Sequence, residues 1–261
     1  MANAYLIQTE PRPNGIKATF SRVKEMILQA NPTAGSLILL PEMFATGFLT
    51  NPPSDFAEDL TNFDTPTPRF LQALADETQC AVLGGGIEAF ASKSIPSESL
   101  PFCNWTALFE PGKRSPQAFY RKRHPFADEA KHFTAGEKIS SFDWQGFSVS
   151  PFICFDLRFP EDFRKARALG SSLLTVQAEW PASRALHFKT LLRARAIENQ
   201  CYVLACSRAG EAFATSSAFG PNGEELLDAD SAEKTFCVNL DVSQVNASRA
   251  NFPLPLPQIH I

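Results

Sequence analysis

Short apolar runs suited to strands alternate with longer segments of helical periodicity along most of this chain, and that alternation restricts it to the α/β class. Residues Ile16 to Ala30 carry helical spacing ended by NPTAG, and SLILL (36–40) follows as a short buried strand. A second helix is expected from Pro68 to Gln79, with proline in its first turn. The strand CAVLGGGI comes next, and NWTALFEPGKRSPQAFYRK reads as a hairpin joined by a Pro-Gly turn. GFSVSPFICF is a further strand, followed by a helix that opens near Pro160 and stops at Gly170. SLLTVQA is a strand and SRALHFKTLLRARAIENQ the longest helical segment. CYVLACS, a hairpin around GPNGEE, and KTFCVNLDV complete the regular structure. The expectation is one α/β domain over residues 1–261, containing a mixed sheet or two packed sheets. The Pro/Ser-rich stretch Ser92–Pro101 reads as a surface loop, and the tail FPLPLPQIHI as extended chain along the surface or a partner subunit.

Composition narrows the function. With 44% hydrophobic and 20% charged residues, the chain can bury a substantial core. A formal charge of −4 argues against general affinity for nucleic acid or anionic membrane. No apolar run approaches the roughly 20 residues that span a bilayer, and MANAYLIQTEPRPNG lacks the pattern of a secretory signal. The cysteines at 80, 103, 154, 201, 206 and 237 form neither a CxxC pair nor a small-domain disulfide framework. They fit free thiols in a reducing compartment, and cytoplasm is the expected location. No Cys/His cluster suggests a metal, and the glycines at 84–86 lack the GK[ST] of a phosphate loop, so no cofactor is expected.

Three residues stand where apolar strands stop. Glu42 follows SLILLP, Lys122 closes QAFYRK, and Cys154 closes GFSVSPFI. Strand carboxyl ends are where sites collect in α/β folds. Each has a bland reading: a solvated loop charge for Glu42, a surface cation for Lys122 beside Arg121 and Arg123, a small core hydrophobe for Cys154. Together they would suffice for acyl transfer. A cysteine attacks as thiolate, a carboxylate can take its proton, and an ammonium can hold the resulting oxyanion. A Cys–His arrangement would have to use His124, His132, His187 or His260, none of which has a papain-type or caspase-type context.

The blocks LILLPEMFATGF, YRKRHPF, FICFDLRFPE and RARAIENQCYVLACSRAG, in that order, resemble the nitrilase (carbon–nitrogen hydrolase) superfamily. The resemblance implies an αββα four-layer sandwich that dimerises through helices, with Glu42 as general base, Lys122 as catalytic lysine and Cys154 as nucleophile. It implies a supporting glutamate at Glu129 and an oxyanion contact from the backbone N–H of Phe155. Cys154-Phe155-Asp156 leans toward the amidase branches, and CFDLRFPE with AEWPASRALHFKTLLRARAIENQ is similar to omega-amidase-like proteins, which act on the terminal amide of α-keto acid monoamides such as 2-oxoglutaramate. The same triad also serves N-carbamoyl amidases, nitrilases, acyltransferases and nonenzymatic members. The expected partners are a small-molecule amide and a second copy of the chain.

Around the triad, Phe44, Phe48 and Phe126 are expected to form an apolar rim. Trp180 either walls the pocket or packs, and Arg158 either binds a substrate carboxylate or makes an internal salt bridge that fixes the turn. Glu198 reads as structural, capping or pairing with arginine. Glu179 occupies a position where close relatives are expected to carry asparagine, and a carboxylate there would repel an anionic substrate.

Overall fold

The structure, a computed structural model, describes residues 1–89 and 101–256. Most of the Ser92–Pro101 stretch and the last residues of the tail therefore lie outside the described residues. The first half of the chain forms β1 (Ala2–Gln8), α1 (Ile16–Ala30), β2 (Leu37–Leu39), β3 (Ala57–Glu58), α2 (Pro66–Thr78), β4 (Ala81–Ala89), β5 (Phe102–Phe109) and β6 (Ala118–Arg121). The second half forms β7 (Phe142–Trp144), β8 (Phe147–Ile153), α3 (Pro160–Ala168), β9 (Leu173–Ala178), α4 (Ala185–Asn199), β10 (Tyr202–Ser207), β11 (Ser217–Phe219) and β12 (Glu225–Asp228). The strand β13 (Lys234–Leu240) and helix α5 (Val242–Asn251) close the chain.

Two sheets result, in the orders β13-β1-β2-β4-β5-β6, with β3 beside β4, and β12-β11-β10-β9-β8-β7. The centre of each is the same device. Strands β1, β2 and β4 run parallel through the crossovers α1 and α2. Strands β8, β9 and β10 run parallel through α3 and α4. The chain then returns, and β13 pairs antiparallel with β1.

Side chains alternate across each strand, so both faces of both sheets must be covered. Ala4 and Leu6 of β1, Leu37 and Leu39 of β2, and Leu83 of β4 meet Phe147, Val149, Leu173, Leu204 and Cys206 in the layer between the sheets. On the outer face of the first sheet, Val23, Met26 and Ile27 of α1 and Leu71 and Leu74 of α2 pack on Ile7, Ile38, Val82 and Trp105. On the outer face of the second, Phe163 of α3 and Phe188, Leu192 and Ala196 of α4 cover Phe152, Val176 and Val203. The layers are thus α, β, β, α, with two packed sheets and not one mixed sheet. β4 and β5 approach closely where the first sheet turns antiparallel: a Cβ on Gly85 would stand 1.8 Å from the Trp105 carbonyl oxygen.

Several expected elements shift. α2 starts at Pro66, two residues before the expected Pro68, because Pro66 occupies the first helical position and the Glu58 carboxylate accepts the Thr67 N–H at 2.8 Å. The strand ending in ICF stops at Ile153, and Cys154 and Phe155 already belong to a 3-10 turn, Cys154–Arg158. β1, the short strands β3 and β7, and α5 were not anticipated. The cap of α5 is plain in hindsight: Asp241 accepts the Ser243 N–H at 2.9 Å. After α5, Pro253–Leu256 has no regular structure, and the Pro255 carbonyl is held by Arg164 at 3.1 Å.

β6 runs antiparallel to β5, which runs antiparallel to β4, so β6 points the same way as β2 and β4. The carboxyl ends of β2 and β6 therefore share one edge of the first sheet. That edge meets the carboxyl ends of β8, β9 and β10 from the second, as two hydrogen bonds between the sheets record. Gln177 Nε2 donates to the Leu40 carbonyl at 2.8 Å, and the Glu179 N–H donates to Glu42 Oε2 at 3.1 Å.

Candidate active site

Each of the three strand-end residues is delivered by a local break in the ladder. Pro41 cannot donate to a sheet, so β2 ends and Glu42 turns inward, followed by Met43 with φ of 44°. Lys122 still pairs through its N–H with the Asn104 carbonyl at 2.8 Å, beyond the end of β6. Cys154 itself is left-handed, with φ of 45°, a conformation that costs a non-glycine residue about 1–2 kcal/mol. That strain is sustained by Asp156, whose Oδ2 accepts the Ile153 N–H at 3.0 Å and closes the turn.

The Lys122 ammonium, 1% exposed, is held between two buried carboxylates, 2.8 Å from Glu42 Oε1 and 2.8 Å from Glu129 Oε2. Asn104 Nδ2 bridges the same pair, donating to Glu42 Oε1 at 2.7 Å and to Glu129 Oε1 at 3.1 Å. Glu129 also accepts the Phe126 N–H at 2.7 Å. Burial alone would pull the Lys122 ammonium down, but Glu42 and Glu129 outweigh it and the net shift is upward, so the lysine stays charged. The Cys154 thiol goes the other way from a free thiolate. Burial pushes it well above its ordinary range, the Glu42 charge and hydrogen bond add to that, and Lys122 opposes. In the resting site the proton therefore stays on sulfur, with Glu42 placed to take it.

Cys154 opens into a cavity of about 280 Å³. Phe48, Phe126, Phe155, Arg158, Glu179 and Trp180 line it with Cys154. Phe44 does not. It is buried under α1 and α2, with its ring 5.8 Å from Phe20 and 6.0 Å from Phe70, because Met43 turns the chain between base and rim. Trp180 serves both expected roles, facing the cavity while packing on Phe188 at 5.2 Å and donating to the Arg184 carbonyl at 2.9 Å. Arg158 makes no carboxylate salt bridge among the described residues, contrary to one of its two readings. Its guanidinium lies 5.0 Å from the Trp180 ring and 3.3 Å from His187 Nδ1. Glu198 pairs with Arg195 at 3.0 Å, the structural role expected of it.

The expected repulsion from Glu179 is answered by a residue not picked out from sequence. Arg208, at the end of β10, lines the cavity and binds Glu179 Oε2 at 3.1 Å. Glu179 Oε1 accepts the Phe48 N–H at 2.9 Å, which Gly47, with φ of 77°, turns toward it. Burial raises the Glu179 carboxyl to about 7, helped by the Glu42 charge and opposed by Arg208 and the Phe48 N–H. Arg184 and Phe213, also unanticipated, complete the lining. Asn104 was missed as well. Its only sequence signal was a polar amide near the start of an otherwise largely apolar strand. Among the described residues, no group of three His, Cys, Asp or Glu side chains is disposed to hold a metal ion.

The carbon–nitrogen hydrolase family model matches residues 4–250, from within β1 to within α5, and the chain belongs to that family of hydrolases acting on carbon–nitrogen bonds. Among particular relatives, it is 35% identical to omega-amidase YafV of Escherichia coli strain K12, over 85% of this chain and 83% of that protein. It is 28% identical to a 2-oxoglutaramate amidase of Bacillus subtilis, over 88% and 87% of the two chains. Among solved structures, XC1258 of Xanthomonas campestris, a CN-hydrolase superfamily protein with an arsenic adduct in its active site, superposes with a TM-score of 0.82. That match has 28% identity and covers 97% of this chain and 95% of the other. No helix among the described residues is long and apolar enough to cross a membrane.

Proposed function

We propose that the protein is a cysteine amidase that hydrolyses the terminal amide of a short α-keto acid monoamide, 2-oxoglutaramate being the type, to the acid and ammonia. The observation that carries the chemistry is the buried Lys122 ammonium clamped by Glu42 and Glu129 beside the Cys154 thiol. Glu42 takes the thiol proton as sulfur attacks the amide carbon. Because the resting thiol is protonated, transfer and attack proceed together. Lys122 and the Phe155 N–H, which lies in the first turn of a 3-10 helix and has no intrahelical acceptor, hold the oxyanion. A preorganised donor of this kind contributes about 3–4 kcal/mol. Glu42 returns the proton to nitrogen, the C–N bond breaks, and ammonia leaves a thioester on Cys154. Glu42 then takes a proton from water, the hydroxyl adds to the thioester, and cleavage of C–S releases the acid while sulfur regains its proton.

The substrate class rests on the relatives and on the charge of the cavity. Glu179 is neutralised by Arg208, while Arg158 and Arg184 line the wall without a carboxylate partner among the described residues. The lining is thus net positive and fits a small anion. The test is ammonia release from 2-oxoglutaramate, 2-oxosuccinamate, N-carbamoyl compounds and simple nitriles, with Cys154→Ala as control. The expected result is turnover of the keto acid amides and none by the variant, which should keep its fold by circular dichroism. Full activity in Cys154→Ala, or preference for a carbamoyl compound or nitrile, would overturn the reading.

A further inference from the structure

The geometry points to Asp156 as a positioning residue that sets the placement of Cys154 relative to Lys122, by joining the backbone segment after β6 to the end of β8 through one ionised carboxylate. The inference rests on the triad reading above. Asp156 is fully buried, and each of its oxygens takes two donors. Oδ1 accepts the backbone N–H groups of His124 at 2.9 Å and Arg123 at 3.2 Å. Oδ2 accepts the Tyr120 hydroxyl at 2.7 Å and the Ile153 N–H at 3.0 Å. Arg123 and His124 directly follow Lys122, and Ile153 directly precedes Cys154. One side chain thus spans from the catalytic lysine's segment in one sheet to the nucleophile's turn in the other.

Four donors converge on this group, and its three backbone N–H donors cannot accept a hydrogen bond in return. A backbone N–H only donates, and the Tyr120 hydroxyl is kept protonated, pushed up by burial and by Asp156 itself. Protonating Asp156 either sets a donor against a backbone N–H or makes the Tyr120 hydroxyl give up its own donation, so the clamp on the carboxylate loses a contact. Either the Cys154 turn or the 123–124 segment then relaxes. The titratable and charged side chains near Asp156 are those of Lys122, Arg123 and His124 from the segment after β6, and Asp162 from α3. Asp162 is already bound to Arg123 at 2.8 Å and to His124 Nε2 at 2.8 Å, so neither side chain is committed to Asp156. Burial raises the Asp156 carboxyl to about 6, against the pull of the Tyr120 hydroxyl and the Ile153 N–H. Loss of the proton-free form therefore falls inside the range where activity is measured.

The test reads geometry at sulfur without depending on the natural substrate. The rate of Cys154 alkylation by iodoacetamide is followed by peptide-resolved mass spectrometry, from pH 5 to 9 or thereabouts, in wild type, Asp156→Asn and Tyr120→Phe. Wild type should show a break near the Asp156 value of about 6. Asp156→Asn has lost two acceptor sites and should alkylate about tenfold more slowly at neutral pH, with no break. Tyr120→Phe keeps the carboxylate but removes a donor that lowers its pKa, so its break should move to higher pH. With the amide substrate, Asp156→Asn should lower kcat with little change in KM. A break at the same pH in wild type and Tyr120→Phe, or none in wild type, would overturn the inference, and that comparison holds even if Asp156→Asn fails to fold. Ammonia release by Cys154→Ala would instead overturn the triad reading, a result separate from either break.

Discussion

Arg158 stands in the cavity wall with its guanidinium against the Trp180 ring and, among the described residues, no carboxylate to neutralise it. With the proposed substrate, a guanidinium so placed would bind the far carboxylate, and it would have nothing to offer a neutral amide. Replacing it, Arg158→Gln, should raise KM for 2-oxoglutaramate about tenfold to a hundredfold while leaving kcat/KM for a neutral short-chain amide within about twofold. Steady-state kinetics on both substrates decide the matter, since equal losses on both would assign Arg158 to the turn and not to recognition. Residues at this scale divided sharply in how well the sequence announced them. Glu42, Lys122 and Cys154 were visible because each interrupts an apolar run. Asn104, Arg184 and Arg208 were not, because a polar residue on a strand, just past its end or in a turn before a helix has no sequence mark that tells solvent from cavity.

At the level of elements, the alternating runs disclosed most strands and helices, yet β1, α5 and the short strands β3 and β7 escaped. β1 begins with Ala-Asn-Ala, too small and polar to declare a strand, and draws its stability from β13 at the other end of the chain. α5 carries little apolar surface, burying only Val245 and Ser248, so its sequence has almost no helical stripe to read. The triple glycine of β4 has a packing reason. Gly85 allows β4 and β5 to close, and β5 carries Asn104. Gly85→Ala should therefore push the two strands apart, with a loss of about 3 kcal/mol or more in chemical denaturation and a fall in activity beyond that expected from stability alone. A variant of wild-type stability would show that the strand approach is not required.

For the whole molecule, buried carboxyls with raised proton affinity couple stability to acidity. Glu179 titrates at about 7 in the folded state, above the 4.3 or so of an unfolded glutamate. Between those values the folded state binds the extra proton, so this group stabilises the fold as pH falls, and the contribution is lost as pH rises through 7 or so. Glu179→Gln removes it. The wild type should therefore gain stability relative to that variant as the pH drops from about 7 to 5, by up to about 1.4 kcal/mol per unit. Melting temperatures of the two proteins across that range would test the sign. A gap that is constant, or that widens toward alkaline pH, would contradict the assignment.

Glu42, the general base of the proposed reaction, belongs to one βαβαβ unit and Cys154, its proposed nucleophile, to the other, and they meet where the two sheets lie face to face. A newly made chain consequently carries an unassisted cysteine until its last large-scale docking event. Any species with a single sheet formed is chemically silent toward amides. Recovery of ammonia release during refolding would then clock the closing of the sandwich itself, later than any signal from helices or from either sheet alone.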